Sequence, residues 1–184
     1  MRKKILSLFC TLALCLTLLP VTALATEGGQ SVYVGGVELT GSTDSPAYAT
    51  TDEGGNVSTE GASAESYNIE WDGQTLTLKD AYVTGQVNSG NIIGAAIGVE
   101  NSNGAELTIQ LEDSNTVSAS VGIYVHSSGG DASLTITGDG SLNANGSRNG
   151  IRVVSNGGNA TLEINSGEVK AEGGTYTSDS GVLV

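Results

Sequence analysis

The feature that most restricts this chain is an internal repeat. Ala96-Ile97-Gly98-Val99 leads to Ala105-Glu106-Leu107-Thr108-Ile109 and then to Thr116-Val117-Ser118-Ala119. Gly122-Ile123-Tyr124-Val125 leads in the same way to Ala132-Ser133-Leu134-Thr135-Ile136 and Ser141-Leu142-Asn143-Ala144. Gly150-Ile151-Arg152-Val153 leads to Ala160-Thr161-Leu162-Glu163-Ile164 and Glu168-Val169-Lys170-Ala171. Leu134 follows Leu107 by 27 positions and Leu162 follows Leu134 by 28, while a looser copy runs back through Leu76-Thr77-Leu78 and Val83, with Leu76 lying 31 before Leu107. Gly181-Val182-Leu183-Val184 begins one more copy.

Each copy holds three short runs of alternating apolar and polar residues, separated by Gly, Asn, Ser and Asp, which is the pattern of half-buried strands joined by turns. Strands this short cannot stand alone, so the copies must stack and share one core. The expected fold is therefore all-β, a right-handed parallel β-helix with three short strands per rung, about 27 residues per rung and an N-terminal β cap. An antiparallel sandwich or barrel has similar strand spacing but does not require near-identical copies. Alternation points Ile97, Val99, Ile123, Val125, Ile151 and Val153 inward on the first face. Leu107, Ile109, Leu134, Ile136, Leu162 and Ile164 point inward on the second, and Val117, Leu142 and Val169 on the third.

Ahead of the repeat, Ser31–Thr40 alternates as a strand around Gly35-Gly36, and Tyr67–Leu78 reads as a hairpin about Asp72-Gly73, a favoured type I′ pair. Gly41–Glu65, rich in Ser, Thr, Gly, Ala and acid, reads as a long surface loop between them. The start of the chain has the layout of a secretory signal: Met1-Arg2-Lys3-Lys4, an apolar run over Ile5–Leu19, and Ala23-Leu24-Ala25. Fifteen apolar residues are fewer than the roughly 20 that span a bilayer, so an export signal is expected rather than a membrane span. Both cysteines, Cys10 and Cys15, lie inside it. The expected organisation is a signal over 1–25, a cap over 26–74 made of strands, loop and hairpin, and rungs over 75–184 whose last edge meets further rungs or a partner chain.

Charge narrows the function. Removing Arg2, Lys3 and Lys4 from the 7 basic residues leaves four against all 20 acids, a side-chain sum of −16. Nucleic-acid binding needs clustered Lys and Arg on phosphate, and is excluded on that ground. With 27 Gly but only 2 Pro and no Gly-X-Y period, collagen is excluded, and 38% hydrophobic content is too apolar for plain disorder. The exported part contains no Cys and one histidine, His126, so a serine or cysteine nucleophile has little to activate it.

The opening Val32-Tyr33-Val34-Gly35-Gly36-Val37-Glu38-Leu39-Thr40, the segment Tyr67–Leu78 and the Leu-Thr-Ile rungs resemble secreted right-handed β-helix carbohydrate-binding domain proteins of Firmicutes. The resemblance covers most of residues 31–184 and is carried by repeat texture. It implies an exported or cell-surface protein holding plant-cell-wall polysaccharide such as cellulose or polygalacturonate, with calcium as the implied ion. Pectin-cleaving enzymes use the same kind of coil, and Asn149-Gly150-Ile151-Arg152-Val153 resembles the Arg-bearing strand of polygalacturonases. Paired Asp-Asp and Gly-His-Gly are absent, and Val153-Val154 stands where a Lys would follow, so no enzyme is expected.

Two sets of site residues follow. Tyr124 and Arg152 occupy equivalent outward places on adjacent rungs, with Glu100, His126 and Val154 in the neighbouring column. Together they offer a stacking ring and hydrogen-bond donors to a sugar, or alternatively an ordinary cross-strand Tyr-Arg contact beside a Glu-His pair. Asp80, Asp113, Asp139 and Asn165 lie 3 or 4 positions before the third-face residue of their copies. On a stacked coil they would form a ladder suited to calcium, or simply make turns. Trp71 and Tyr67 are expected over the open end of the coil, and Tyr82 and Tyr176 have no assigned place. A rigid stalk or adhesin segment of a larger surface protein is the structural alternative to glycan binding.

Overall fold

The computed structural model describes residues 30–175 and 179–184. The expected signal over 1–25 and Tyr176 lie outside the described residues. Among the described residues there are fifteen strands: β1 (Val32–Val34), β2 (Val37–Leu39), β3 (Ala47–Thr51), β4 (Val57–Ser58), β5 (Ile69–Trp71), β6 (Thr75–Lys79), β7 (Tyr82–Val83), β8 (Ala95–Asn101), β9 (Ala105–Glu112), β10 (Ser114–Ser127), β11 (Ala132–Gly138), β12 (Ser141–Ser155), β13 (Ala160–Ile164), β14 (Glu168–Glu172) and β15 (Ser180–Leu183). The fold is a parallel β-helix of about three turns. No helix among the described residues is long and apolar enough to cross a membrane.

Two sheets make up the coil. Sheet two stacks β6, β9, β11 and β13 in parallel, with Leu107, Leu134 and Leu162 in one file and Leu76, Ile109, Ile136 and Ile164 in the next. Leu76 thus pairs with Ile109, two places beyond the Leu107 that the looser spacing suggested. A shift of two keeps the same parity, so the inward face survives it. Sheet one stacks β8, β10 and β12 in parallel, with Ile97, Ile123 and Ile151 in file, followed by Val99, Val125 and Val153.

The count of strands per turn differs from the expected three short ones. The third segment of one copy and the first of the next run together as β10 and β12, of 14 and 15 residues, bent where the register shifts between Ala119 and Val121. Small residues make this bend possible. A Cβ on Gly122 would press on the Gly150 carbonyl, and one on Gly146 would overlap the Asn149 backbone, so the chain turns the corner while keeping its ladder. Ile97, Val99, Ile123, Val125, Ile151 and Val153 of sheet one and Leu76, Leu107, Ile109, Leu134 and Ile136 of sheet two are buried, Leu162 is half-buried and Ile164 exposed, and Val117 and Leu142 close the third side.

The N-terminal cap is richer in strands than expected. β1 and β2 form the hairpin, with Gly35 and Gly36 at φ 59 and 85 as its central pair, which is the type I′ requirement. Between β5 and β6 the central pair is instead Gly73-Gln74, with only Gly73 at positive φ. Asp72 stands just before it and accepts from the backbone N–H groups of Gln74 and Thr75 at 2.8 and 2.6 Å. The reading of Asp72-Gly73 as a type I′ pair is corrected accordingly. The presumed loop over Gly41–Glu65 contains β3, which pairs antiparallel with β5 and buries Ala49. Its Ala47-Tyr48-Ala49-Thr50 alternation was masked by the small, polar composition around it. Trp71 is fully buried and donates from Nε1 to the Gln30 carbonyl at 3.1 Å, while Tyr67 packs on Tyr48 with ring centres 5.4 Å apart. Tyr82 is exposed.

Candidate functional site

The residues expected to face a sugar meet as the repeat required. Tyr124 and Arg152 are direct partners in the β10–β12 ladder, and the Arg152 guanidinium carbon lies 4.6 Å from the centre of the Tyr124 ring. His126 pairs with Glu100 on one side and Val154 on the other. The Glu100 carboxylate stands 3.6 Å from His126 Nδ1, Asn156 Nδ2 is 3.3 Å from Nε2, and the Tyr124 ring meets the imidazole edge-on at 6.0 Å.

What the repeat did not show is that this cluster is covered. Tyr124 is 6% exposed and His126 5%. The covering element is the irregular strap over residues 84–94, which folds back across the outside of sheet one. Its Val87 and Ile92 join Ala95, Val121 and Tyr124 in a second apolar cluster, against which Tyr33 and Val154 pack. A Cβ on Gly98, the residue in file with Tyr124, would strike Ile92, so glycine at that rung gives the strap its seat. In place of an open platform, the four residues form a packed patch in which Tyr124 and His126 are buried and Arg152 and Glu100 half-buried. A hint was present in the sequence: Val87 and Ile92-Ile93 are apolar residues inside a polar segment bracketed by Gly85 and Gly94.

Glu100 ties the strap down. It accepts from the Asn91 backbone N–H at 2.9 Å and is also bonded by the Asn91 side-chain amide. Burial alone would raise its pKa, but the two Asn91 bonds and the neighbouring His126 outweigh that and hold the carboxyl below its usual value. Tyr33, beneath the same strap, is pushed up by burial and by Glu38 and Glu100.

The proposed metal ladder is only partly assembled. Asp80, Asp113 and Asp139 line one open groove of about 1000 Å³ together with Ser114, Ser141 and Glu168. They do not form a single file. Gly138 stands opposite Leu111 and Ser141 opposite Ser114, which sets Asp139 beside Glu112 and Gly140 beside Asp113. Asn165 follows Ile164, the partner of Ile136, and so falls beside Thr137, away from the groove lining. Asp80 and Asp113 have φ of 49 and 56, the left-handed turn conformation that Asp tolerates better than most residues. Among the described residues no three His, Cys, Asp or Glu side chains converge on one point that would hold a metal ion.

A different surface is continuous, half-buried along its middle rungs and exposed at Glu106, Thr161 and Glu163. Along the outside of sheet two, Thr75, Thr108, Thr135 and Glu163 stand in one file. Thr77, Gln110 and Thr137 form the next, and Glu106, Ser133 and Thr161 a third. At roughly 4.8 Å between strands this is a flat field of hydroxyl, amide and carboxylate groups on a stiff support. Where it meets the cap it deepens into a groove of about 670 Å³, lined by Gln30, Gln74, Asn103, Glu106, Thr108 and Asp131. Gln30 bridges to the backbone of Glu106 through both its side-chain atoms, fixing that wall. The alternation that identifies the strands also marks these outward residues, but Ser and Thr on a strand carry no signal that separates a binding face from an ordinary solvent-facing one. Compared with known protein families, characterised proteins and solved structures, the chain has no significant match.

Proposed function

We propose that this chain is an exported, non-catalytic protein that holds polysaccharide along the outer face of sheet two. The observation that carries the reading is the register of Thr75, Thr108, Thr135 and Glu163 across four parallel strands, running into the groove beside Thr108. A polymer of identical sugar units offers hydroxyls at a regular interval, and this face offers donors and acceptors at its own regular interval, held by a backbone that loses no freedom on binding. Side-chain carboxylates and amides pair well with sugar hydroxyls.

Charge selects among glycans. With −16 on the exported side chains, polygalacturonate would meet repulsion unless calcium bridged the two, and Arg152, the cation nearest the first-face patch, is engaged with Tyr124. A neutral β-linked plant-cell-wall glucan or xylan meets no such barrier and is the ligand class we assign. A non-catalytic role accords with His126, the one histidine, being buried between Glu100 and Asn156 rather than offered to a substrate.

Affinity electrophoresis against soluble glucans, xylan and polygalacturonate, with and without calcium, tests the proposal. The expected result is retardation by a neutral glycan, weakened in Thr108→Val/Thr135→Val, which keeps the β-branched shape and removes two hydroxyls. Absence of retardation in every gel overturns the reading in favour of a structural stalk. Retardation by polygalacturonate alone, dependent on calcium, would overturn the choice of ligand.

A further inference from the structure

Sheet two does not stop at the coil. Its outer face continues onto the cap through β5 and β3, so that Tyr48, Glu70, Thr77, Gln110 and Thr137 stand in one file across five strands. The antiparallel register keeps the alternation that points Ala49, Ile69 and Trp71 inward, where all three are fully buried, and Tyr48 and Glu70 outward. Tyr67, just before β5, packs on Tyr48 with ring centres 5.4 Å apart and planes inclined at 48°. Both rings are half-buried, which leaves part of each open to solvent, and the Tyr67 hydroxyl bonds to Glu70. Among the described residues this pair is the aromatic feature of the face. Trp71 points inward, Tyr33 and Tyr124 lie under the strap, and Tyr82 on β7 belongs to sheet one.

We propose that Tyr48 and Tyr67 are the aromatic anchor of the glycan face assigned above to sheet two, a step that rests on that assignment, and that they take a single chain of neutral β-linked pyranose units rather than the surface of a crystal. A tyrosine ring offers a broad, rigid apolar surface with a hydroxyl at its edge, which suits the C–H face and hydroxyl rim of a pyranose chair. Glu70, Thr77, Gln110 and Thr137 can bond hydroxyls but give little apolar contact, so the pair contributes what the rest of the file lacks.

Length, charge and tilt define the ligand further. At about 4.8 Å per strand the file runs roughly 19 Å from Tyr48 to Thr137, farther than one sugar ring reaches, so only a chain of several units touches both ends. The surroundings are acidic. Burial, then Glu70 and Glu65, push the Tyr48 hydroxyl above its usual pKa, and burial, Glu70 and Glu112 do the same to Tyr67. An anionic glycan would meet those carboxylates directly. Two rings inclined at 48° cannot both lie on one flat surface, whereas successive units of a free chain twist relative to one another and can meet each ring in turn.

Affinity electrophoresis in xylan and in a soluble β-glucan should show Kd raised about tenfold for Tyr48→Ala/Tyr67→Ala and little changed for Tyr48→Phe/Tyr67→Phe, since the rings rather than the hydroxyls make the contact. Nitration of the unsubstituted chain gives a readout independent of how the variants fold. Saturating xylan should shield Tyr48 and Tyr67 from tetranitromethane, with modified peptides identified by mass, while Tyr82, 41% exposed, reacts equally with and without it. Undiminished binding by the alanine pair, or unchanged nitration of Tyr48 and Tyr67 with glycan bound, would overturn the anchor and leave the glycan face standing. Sedimentation with crystalline cellulose as strong as the binding to xylan would overturn the single-chain assignment. Retardation of the unsubstituted chain in no gel would overturn the anchor and the glycan face together.

Discussion

Individual side chains hold adjacent turns together at points where the ladder must bend. Asn115 is the clearest. Buried at 1% exposure where β10 leaves the turn, it accepts from the Ala81 N–H at 2.9 Å and donates to the carbonyls of Glu112 and Ser141 at 2.8 and 3.2 Å, thereby linking three successive turns. Asn115→Ala leaves the buried Ala81 N–H without its partner and removes both side-chain bonds to neighbouring carbonyls, and a loss of about 2–3 kcal/mol in denaturant unfolding is expected. Arg152 lays its guanidinium on the Tyr124 ring, and its buried Nε has no hydrogen-bond partner. Arg152→Ala should therefore lower stability by about 1 kcal/mol, equivalent to roughly 2–4 °C in melting temperature, and leave glycan retardation unchanged. An equal loss of retardation would return the binding site to the first sheet. The pairing of Tyr124 with Arg152 and of His126 with Glu100 was legible because identical copies in parallel register must align equivalent residues. Their enclosure was not, because it depends on an irregular segment with no counterpart in the other copies.

That segment is the element whose behaviour the repeat says least about. The strap over 84–94 is attached by backbone bonds from Val87 to Ala95 and from Gly94 to Val87, both 2.8 Å, and by the buried Val87 and Ile92. Ile92→Ala should cost about 2 kcal/mol, at the low end for a buried isoleucine because the cluster beneath it is small, and should raise the accessibility of Tyr124 to fluorescence quenchers. Acid should act on the same element through Glu100. Its carboxyl titrates below the usual value near 4.5 when folded, so the stabilisation is complete above that pH and is lost as the pH falls through the lower folded value. Wild-type melting temperature should consequently fall more steeply than that of Glu100→Gln as the pH drops below about 4.5, and parallel curves would remove Glu100 from the strap's attachment. The other elements divide along the same line. The rung strands followed from alternation, whereas β3 was hidden by short, polar side chains, and the fusion of two segments into β10 and β12 depends on close backbone contacts at Gly122 and Gly146 that no period reveals.

As a whole the molecule is a stack in which each turn is supported mainly by its neighbours, so stability should vary along the axis rather than be shared evenly. Ile123 lies between two paired turns and is fully buried, as are its partners Ile97 and Ile151. Ile123→Ala should cost about 3–4 kcal/mol, within the usual range for a buried isoleucine. Ile164, in the last turn of sheet two, is 47% exposed, and Ile164→Ala should cost less than about 1 kcal/mol, because little apolar surface leaves water there. Hydrogen exchange should show the same gradient, with amides of β9 and β11 opening only with the whole fold and those of β13 and β14 opening locally. Protection in β13 already equal to that of β9 would contradict the stacking order, in which β9 lies between two parallel partners and β13 pairs with β11.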